Sequence, residues 1–355
     1  MRLIPAFIVV IFLLSSCSST KHIASGKDEF GRLKLLSEYE VPFNKEFQNT
    51  VIGGLSGIDY DSANQVYYII SDDRSERNPA RYYKAKIISN DSKIDSVEFI
   101  ETTLLKNMEG NFYPGPAQDI YHTPDPEAIR FNASNNSLVW SSEGERIVTS
   151  DRVVLEDPTI TEINDKGIYT DTFVLPPQLP MSALNQGPRR NSVFEGLSFA
   201  DNYKTLFVNV EEPLYNDGSR AGLNDATGLI RILKFDVTSK KPVAQYGYRI
   251  DPVAYPPAPE GAFVFNGAPD ILSVNANDLL VIERSFSTGR PGCTIKIYMA
   301  DLTSAENIQD VNSLVGKNVK LVQKKLLLNM DDLHIYIDNI EGVCFGPTLS
   351  NGHRT

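Results

Sequence analysis

Acidic side chains recur in this chain at fixed places in a repeated pattern. Carboxylates placed that way bind hard cations, move protons or cap backbone amides. The pattern appears as LSGIDY (Leu55–Tyr60), PEAIRF (Pro126–Phe131), FEGLSF (Phe194–Phe199), PDILSV (Pro269–Val274) and IEGVCF (Ile340–Phe345). Its second position holds Ser56, Glu127, Glu195, Asp270 and Glu341, with steps of about 70 residues, longer than a solenoid repeat and nearer a long propeller blade. A second acidic position follows sixteen residues later at Asp72, Glu143 and Glu211, and three residues sooner than that at Glu283. Asp73 and Glu212 adjoin it.

So many carboxylates repel one another unless they are neutralised. Arginine is one source of positive charge: Arg74, Arg146 and Arg284 lie just after the second acidic position, with Arg130, Arg189 and Arg190 nearby. A hard divalent cation is the other, and Ca2+ suits carboxylate and carbonyl oxygens in an exported protein. The candidate metal ligands are Asp72, Glu127, Glu143, Glu195, Glu211, Asp270, Glu283 and Glu341. His122 lies in a loop five residues before Glu127, where an imidazole could serve as general acid or base. His122, Glu127 and Arg146 are the candidate catalytic residues. The same acids could instead cap backbone amides and tie the repeats together, and the residue types leave both roles open.

Other catalytic signatures are absent: there is no Walker A loop, HExxH, CxxC or GxGxxG. Gly196–Ala200 imitates a nucleophile elbow but falls inside a strand pattern with no helix after it. The formal charge of −11, with no basic run, argues against a nucleic-acid partner.

The elements that must position these acids read as strands. The third repeat shows Glu195–Ala200, Thr205–Val210, Gly228–Val237 and Pro242–Ile250 as alternating, β-branched or aromatic runs between Asp, Asn, Gly and Pro turns. The first repeat offers Ser56–Tyr60, Val66–Ser71, Arg81–Ile88 and Ser96–Leu105. The fourth offers Ile271–Val274, Leu279–Ile282, Cys293–Met299 and Val319–Asn329. No long stretch has helical period. Four strands per repeat predict an all-β fold, a β-propeller of five or six four-stranded blades. The first acid opens strand one and the second closes the antiparallel strand two, so both fall on one rim. Three long segments, Lys106–Pro126, Leu175–Ser192 and Asp251–Gly267, precede the acids and enter at that rim, as functional loops or as simple bridges between blades.

The runs GLSGIDYD, YYIISDDR, DPEAIRF, FEGLSF, LFVNVEEP and NIEGVCFGP resemble the phytase-like family described as esterase-like activity of phytase. The resemblance extends from about Leu35 to the end of the sequence and covers every repeat. By analogy with Ca2+-dependent propeller phytases it implies hydrolysis of phosphomonoesters or esters on the acidic rim. The chain departs from that pattern in lacking a recognisable full set of calcium ligands or a phosphate-gripping basic cluster. Two functions follow: a metal-assisted hydrolase of a small phosphate or carboxylic ester, or a non-catalytic propeller presenting its rim to a glycan, peptide or protein.

Residues 1–16 read as a signal peptide, with Arg2 before the apolar run Ala6–Leu14 and small residues before Cys17. The segment resembles a bacterial lipobox, with Cys17 the lipidated residue; an ordinary secretory signal with a chance cysteine is the alternative. Residues 17–31 read as a flexible tether and 32–355 as the propeller domain. The expected location is the bacterial cell envelope, with the protein held to the outer membrane or cell surface by lipid. Cys293 and Cys344 fit free thiols in apolar runs better than a disulfide. The fifth copy has a first strand and no second acid before Thr355, so the last blade is expected to be truncated and Leu33–Val41, a strand-like run, to lie poorly paired.

Overall fold

In the computed structural model, residues 32–224 and 227–355 are described. The signal peptide, Cys17 and the tether lie outside the described residues. Lys34–Thr355 forms one compact unit.

Four antiparallel four-stranded sheets form the blades of a β-propeller. Blade 1 contains Leu55–Asp61, Val66–Ser71, Arg81–Ser89 and Ile94–Leu104 in that order. Blade 2 runs Pro126–Asn132, Ser137–Ser142, Thr159–Ile163 and Tyr169–Thr172. A separate hairpin, Glu145–Val148 with Val153–Glu156, is inserted between its second and third strands. Blade 3 contains Phe194–Ala200, Thr205–Val210, Leu229–Asp236 and Lys241–Arg249. Blade 4 contains Val264–Ser273, Asp278–Ser287, Thr294–Asp301 and Gln323–Asn329. The first strands of successive blades pack against one another and enclose a hub.

The blades are held by apolar side chains that alternate along each strand and meet those of the next blade. Ile70, Tyr82, Ile129 and Trp140 join blades 1 and 2. Ala128, Val139, Leu197 and Val208 join blades 2 and 3, and Phe207, Ile230, Ile271 and Val281 join blades 3 and 4. At Gly57 and Gly196 the first strands of neighbouring blades come too close even for a methyl. A Cβ on Gly57 would lie 2.7 Å from the Ala128 Cα, and one on Gly196 would lie 2.8 Å from the Asp270 Cα.

Among the described residues the blades are four complete sheets rather than five or six. The fifth copy, Ile340–Phe345, forms no ladder among the described residues, yet it occupies a hub position. Its Gly342 lies against the Ser56 carbonyl, and the Val343 amide donates to Asp270 Oδ2 at 2.8 Å. Leu33–Val41 likewise forms no ladder; Ser37 Oγ accepts from the Ile94 amide.

Candidate functional site: an acidic rim

Every blade carries a β-bulge near the start of its first strand, at Leu55/Ile58, Pro126/Ile129, Phe194/Gly196 and Gly267/Asp270. A bulge re-aims the side chains beside it. In blades 1, 2 and 3 the second acid follows the last residue of the second strand, and its amide bonds back to the chain just before the first strand: Asp72 to Gly54, Glu143 to Asp125, and Glu211 to Val193. The two acidic positions therefore share one end of the hub, as their spacing implies.

The tightest cluster is Asp125, Glu127 and Glu143, all buried, with one carboxylate oxygen of each within 4.8 Å of the others. Ser56 Oγ donates to Glu127 Oε2 at 2.8 Å. The Val193 amide donates to Glu143 Oε1, while Glu143 Oε2 is buried with no partner. Glu195 lies beside Glu143 and feels the charges of Glu211 and Glu127. Burial, reinforced by these neighbouring carboxylates, raises Glu127, Glu143 and Glu195 well above the ordinary glutamate range. Asp125 rises to about 7 through burial, against the opposing charge of Arg74. Burial also lifts Glu211 to about 7, against Arg284. Asp72 is raised by burial and by the charge of Glu341.

Four of the six arginines neutralise acids. Arg284 bridges Glu211 and Glu341, 2.8 Å to each. Arg74 bonds Glu145 at 3.0 Å and lies 3.4 Å from Asp125, and Arg190 grips Glu145 from the other side at 2.8 Å. Arg130 is buried at the hub against Asp270.

Several candidates stand elsewhere. Asp270 is not open to a cation: its oxygens accept from Arg130 Nη2 at 2.9 and 2.8 Å and from the amides of Ile271 and Val343. Glu283 faces away from the rim, where Tyr248, Lys324 and the Asp251 amide bond it. Its neighbour Arg284 is the residue that turns to the rim. Arg146 does not reach the triad; its guanidinium donates to the Ser182 and Leu184 carbonyls and packs 4.8 Å from the Tyr215 ring centroid, tying down the loop over 175–192. His122 is exposed and bonds Asp119 at 2.7 Å. Asp73 caps the amides of Glu76, Arg77 and Asn78, and Glu212 pairs with Arg220 and Ser192. Cys293 and Cys344 are free.

Sequence reasoning passed over Asp125 and the inserted hairpin. Asp125 stands two residues before Glu127, on the same side of an extended chain, and that period of two was the available signal. The hairpin brings Glu145, which anchors two arginines, and Glu156, which burial raises to about 8 against the charge of Arg74.

The chain belongs to the phytase-like family. That family, described as esterase-like activity of phytase, matches residues 50–355. No curated protein matches the chain. Among solved structures it is similar to the Dos1 propeller, with 6% identity over 80% of this chain and a TM-score of 0.34; the match spans 62% of that protein's length. It is also similar to the periplasmic gluconolactonase of Pseudomonas aeruginosa, with 9% identity, 78% of this chain, 73% of that one and a TM-score of 0.32. Hydrazine synthase of Kuenenia stuttgartiensis gives 9% identity over 88% of this chain and 98% of that one, with a TM-score of 0.32. These likenesses carry no functional argument.

The rim suits a hard cation. Three buried carboxylates converge, one oxygen lacks a hydrogen-bond partner, and burial, with mutual repulsion behind it, favours the protonated forms of Glu127 and Glu143. A divalent ion with oxygen preference would replace those protons and satisfy the orphaned Oε2.

Proposed function

We propose that this rim is the active site of a Ca2+-assisted hydrolase acting on a small phosphate or carboxylic ester. The observation that carries the proposal is the Asp125–Glu127–Glu143 triad with its unpartnered Glu143 Oε2. Asp125, Glu127 and Glu143 would hold the ion, with Glu195, Glu211, Asp72 and Glu341 around them. When bound, the cation supplies positive charge for the ester oxygens and makes water more acidic. The chain supplies the rest. Ser56 and the Val193 amide fix the Glu127 and Glu143 carboxylates, so their orientation costs little at the moment of reaction. A carboxyl beside the ion that is not one of its ligands can accept a proton from the attacking water and return it to the leaving alcohol. Arg74 keeps Nη2 without a partner beside the triad, a donor for a substrate oxygen.

The test is release of p-nitrophenol from p-nitrophenyl phosphate and p-nitrophenyl acetate, with Ca2+ and with chelator. One substrate or the other should turn over only with Ca2+, and Glu127→Gln, which removes a proposed ligand, should abolish most of that Ca2+-dependent rate. Equal rates in chelator refute the metal-assisted reading. Thermal stabilisation by Ca2+ with neither ester turned over favours the alternative, a rim that binds a glycan, peptide or protein without chemistry.

The expected setting is the cell envelope, with residues 1–16 removed and Cys17 lipidated. The support is the sequence of that segment. Mass spectrometry of the N-terminal peptide from native membranes checks it; an unmodified Cys17 in the soluble fraction refutes it.

A further inference from the structure

The first strands of the blades begin at the acidic rim and end at the opposite mouth of the hub. That mouth holds a cavity of about 320 Å³ lined by all four blades and by the C-terminal segment. Its floor is Arg130, whose donors are consumed by Asp270 and by the Ile58, Leu197 and Ile271 carbonyls. The floor therefore has no free guanidinium for an anion. Beside it Asp59 accepts from the Phe131 amide at 2.8 Å.

The turn of blade 3 is built unlike its counterparts. Asp201, Asn202 and Tyr203 have φ of 52°, 53° and 64°, three successive side-chain-bearing residues in the left-handed region. The equivalent hairpins of blades 1 and 2 use one such residue each, Gln65 and Asn136. A run of three is costly and persists where surrounding contacts or a ligand clamp require it. Its result is to set Tyr203 across the mouth. The ring packs edge-on to Phe199, 5.5 Å between centroids, and the side chain lies beside the Ala133 backbone of blade 2. On another wall the Arg354 guanidinium lies 3.9 Å from the Phe345 ring centroid.

The lining thus offers aromatic surface, a carboxylate and a guanidinium in one small space. Arg130 is already neutralised by Asp270, so the lining leaves Asp59 and Asp201 facing Arg354. An anion gains little there. A pyranose matches: its C–H faces stack on aromatic rings, and its hydroxyls donate to a carboxylate and accept from a guanidinium. The volume is at the lower end of ligand pockets, which run from about 300 to 1,000 Å³, and suits one or two sugar units.

We propose that this second mouth is a binding pocket for a neutral saccharide, with Tyr203 and Asp59 as its determinants. The proposal stands independently of the acidic rim's chemistry. Calorimetry and saturation-transfer NMR with glucose, galactose, mannose, maltose, cellobiose and lactose test it on the full chain. At least one sugar should bind, with saturation passing to its ring C–H protons. Tyr203→Ala and Asp59→Asn should each weaken that binding by about tenfold or more. Tyr203→Phe, which keeps the ring, should retain it, and circular dichroism checks that each variant is folded. Failure of every sugar to bind, or binding that persists through both Tyr203→Ala and Asp59→Asn in folded protein, overturns the proposal.

Discussion

Replacing Arg130 with methionine should be among the most damaging single changes in this chain, and its cost can be worked from the hub. The guanidinium and the Asp270 carboxylate are each 2% exposed as side chains. Arg130 reaches both Asp270 oxygens and the carbonyls of Ile58, Leu197 and Ile271, so one side chain of blade 2 ties to blades 1, 3 and 4. Methionine fills similar space and leaves Asp270 as an uncompensated buried carboxylate. Removing one partner of a buried pair costs about 3–5 kcal/mol. With an unfolding entropy of about 2.1 cal/mol/K per residue over roughly 320 ordered residues, that is a fall in Tm of about 4–7 °C. The loss depends on pH. Burial already holds Asp270 up at about 6 with Arg130 present, and removing the guanidinium raises it further. A carboxyl raised in the folded state loses stability as pH rises through its folded value, so the deficit should be larger at pH 8 than at pH 5.5. Adding Asp270→Asn removes the stranded charge while keeping an acceptor, and the double variant should recover more than half of the loss. Thermal melts of the wild type, both single variants and the double decide it. A deficit below about 1 kcal/mol, or a double variant equal to the sum of the singles, refutes the claim that this pair works as a unit.

The rim and the hub backbone give two further expectations. Burial raises Asp125, Glu127, Glu143, Glu195 and Glu211, so without cation the folded state binds more protons than the unfolded state from about pH 5 to 8 and stability falls across that window. Saturating Ca2+ at about 100 times Kd should add about 2.7 kcal/mol and flatten the slope; melts that ignore both pH and Ca2+ would reduce these acids to braces. Gly57→Val forces branched carbons toward the backbone of Glu127 and Ala128, and overpacking of this kind costs about 1–3 kcal/mol. A Gly57→Val protein melting with the wild type would show that the hub yields easily.

Much of the frame was legible because strands and turns carry local signals. Val66–Ser71 and Thr205–Val210 were read to the residue, since each is an apolar run closed by turn residues. The blade number was harder, for a reason visible at Gly342. In four of its five copies the recurring pattern places a small residue, Gly57, Ala128, Gly196 or Gly342, at the hub, and Gly342 meets Ser56 much as Gly57 meets Ala128. That requirement holds whether or not a ladder forms behind it, so the fifth copy marks a hub contact rather than a sheet.

The acids divide on similarly plain grounds. Glu283 comes three residues sooner after its partner than the other second acids, and an odd shift on a strand moves a side chain to the opposite face. The rim accordingly receives Arg284, which neutralises two of the acids there. Spacing could reveal which carboxylates recur, but not which are already satisfied. Asp270, Glu145 and Glu283 are closed by cations and amides, as braces should be. Glu143 is buried beside Asp125 and Glu127 with an oxygen that has no hydrogen-bond partner in the described chain. Bracing accounts for the first set and leaves that oxygen unexplained, since a buried acceptor without a partner carries the full cost of its desolvation. A bound cation would remove that cost, and this is why the triad, rather than the larger ring of acids, is the place to look for chemistry.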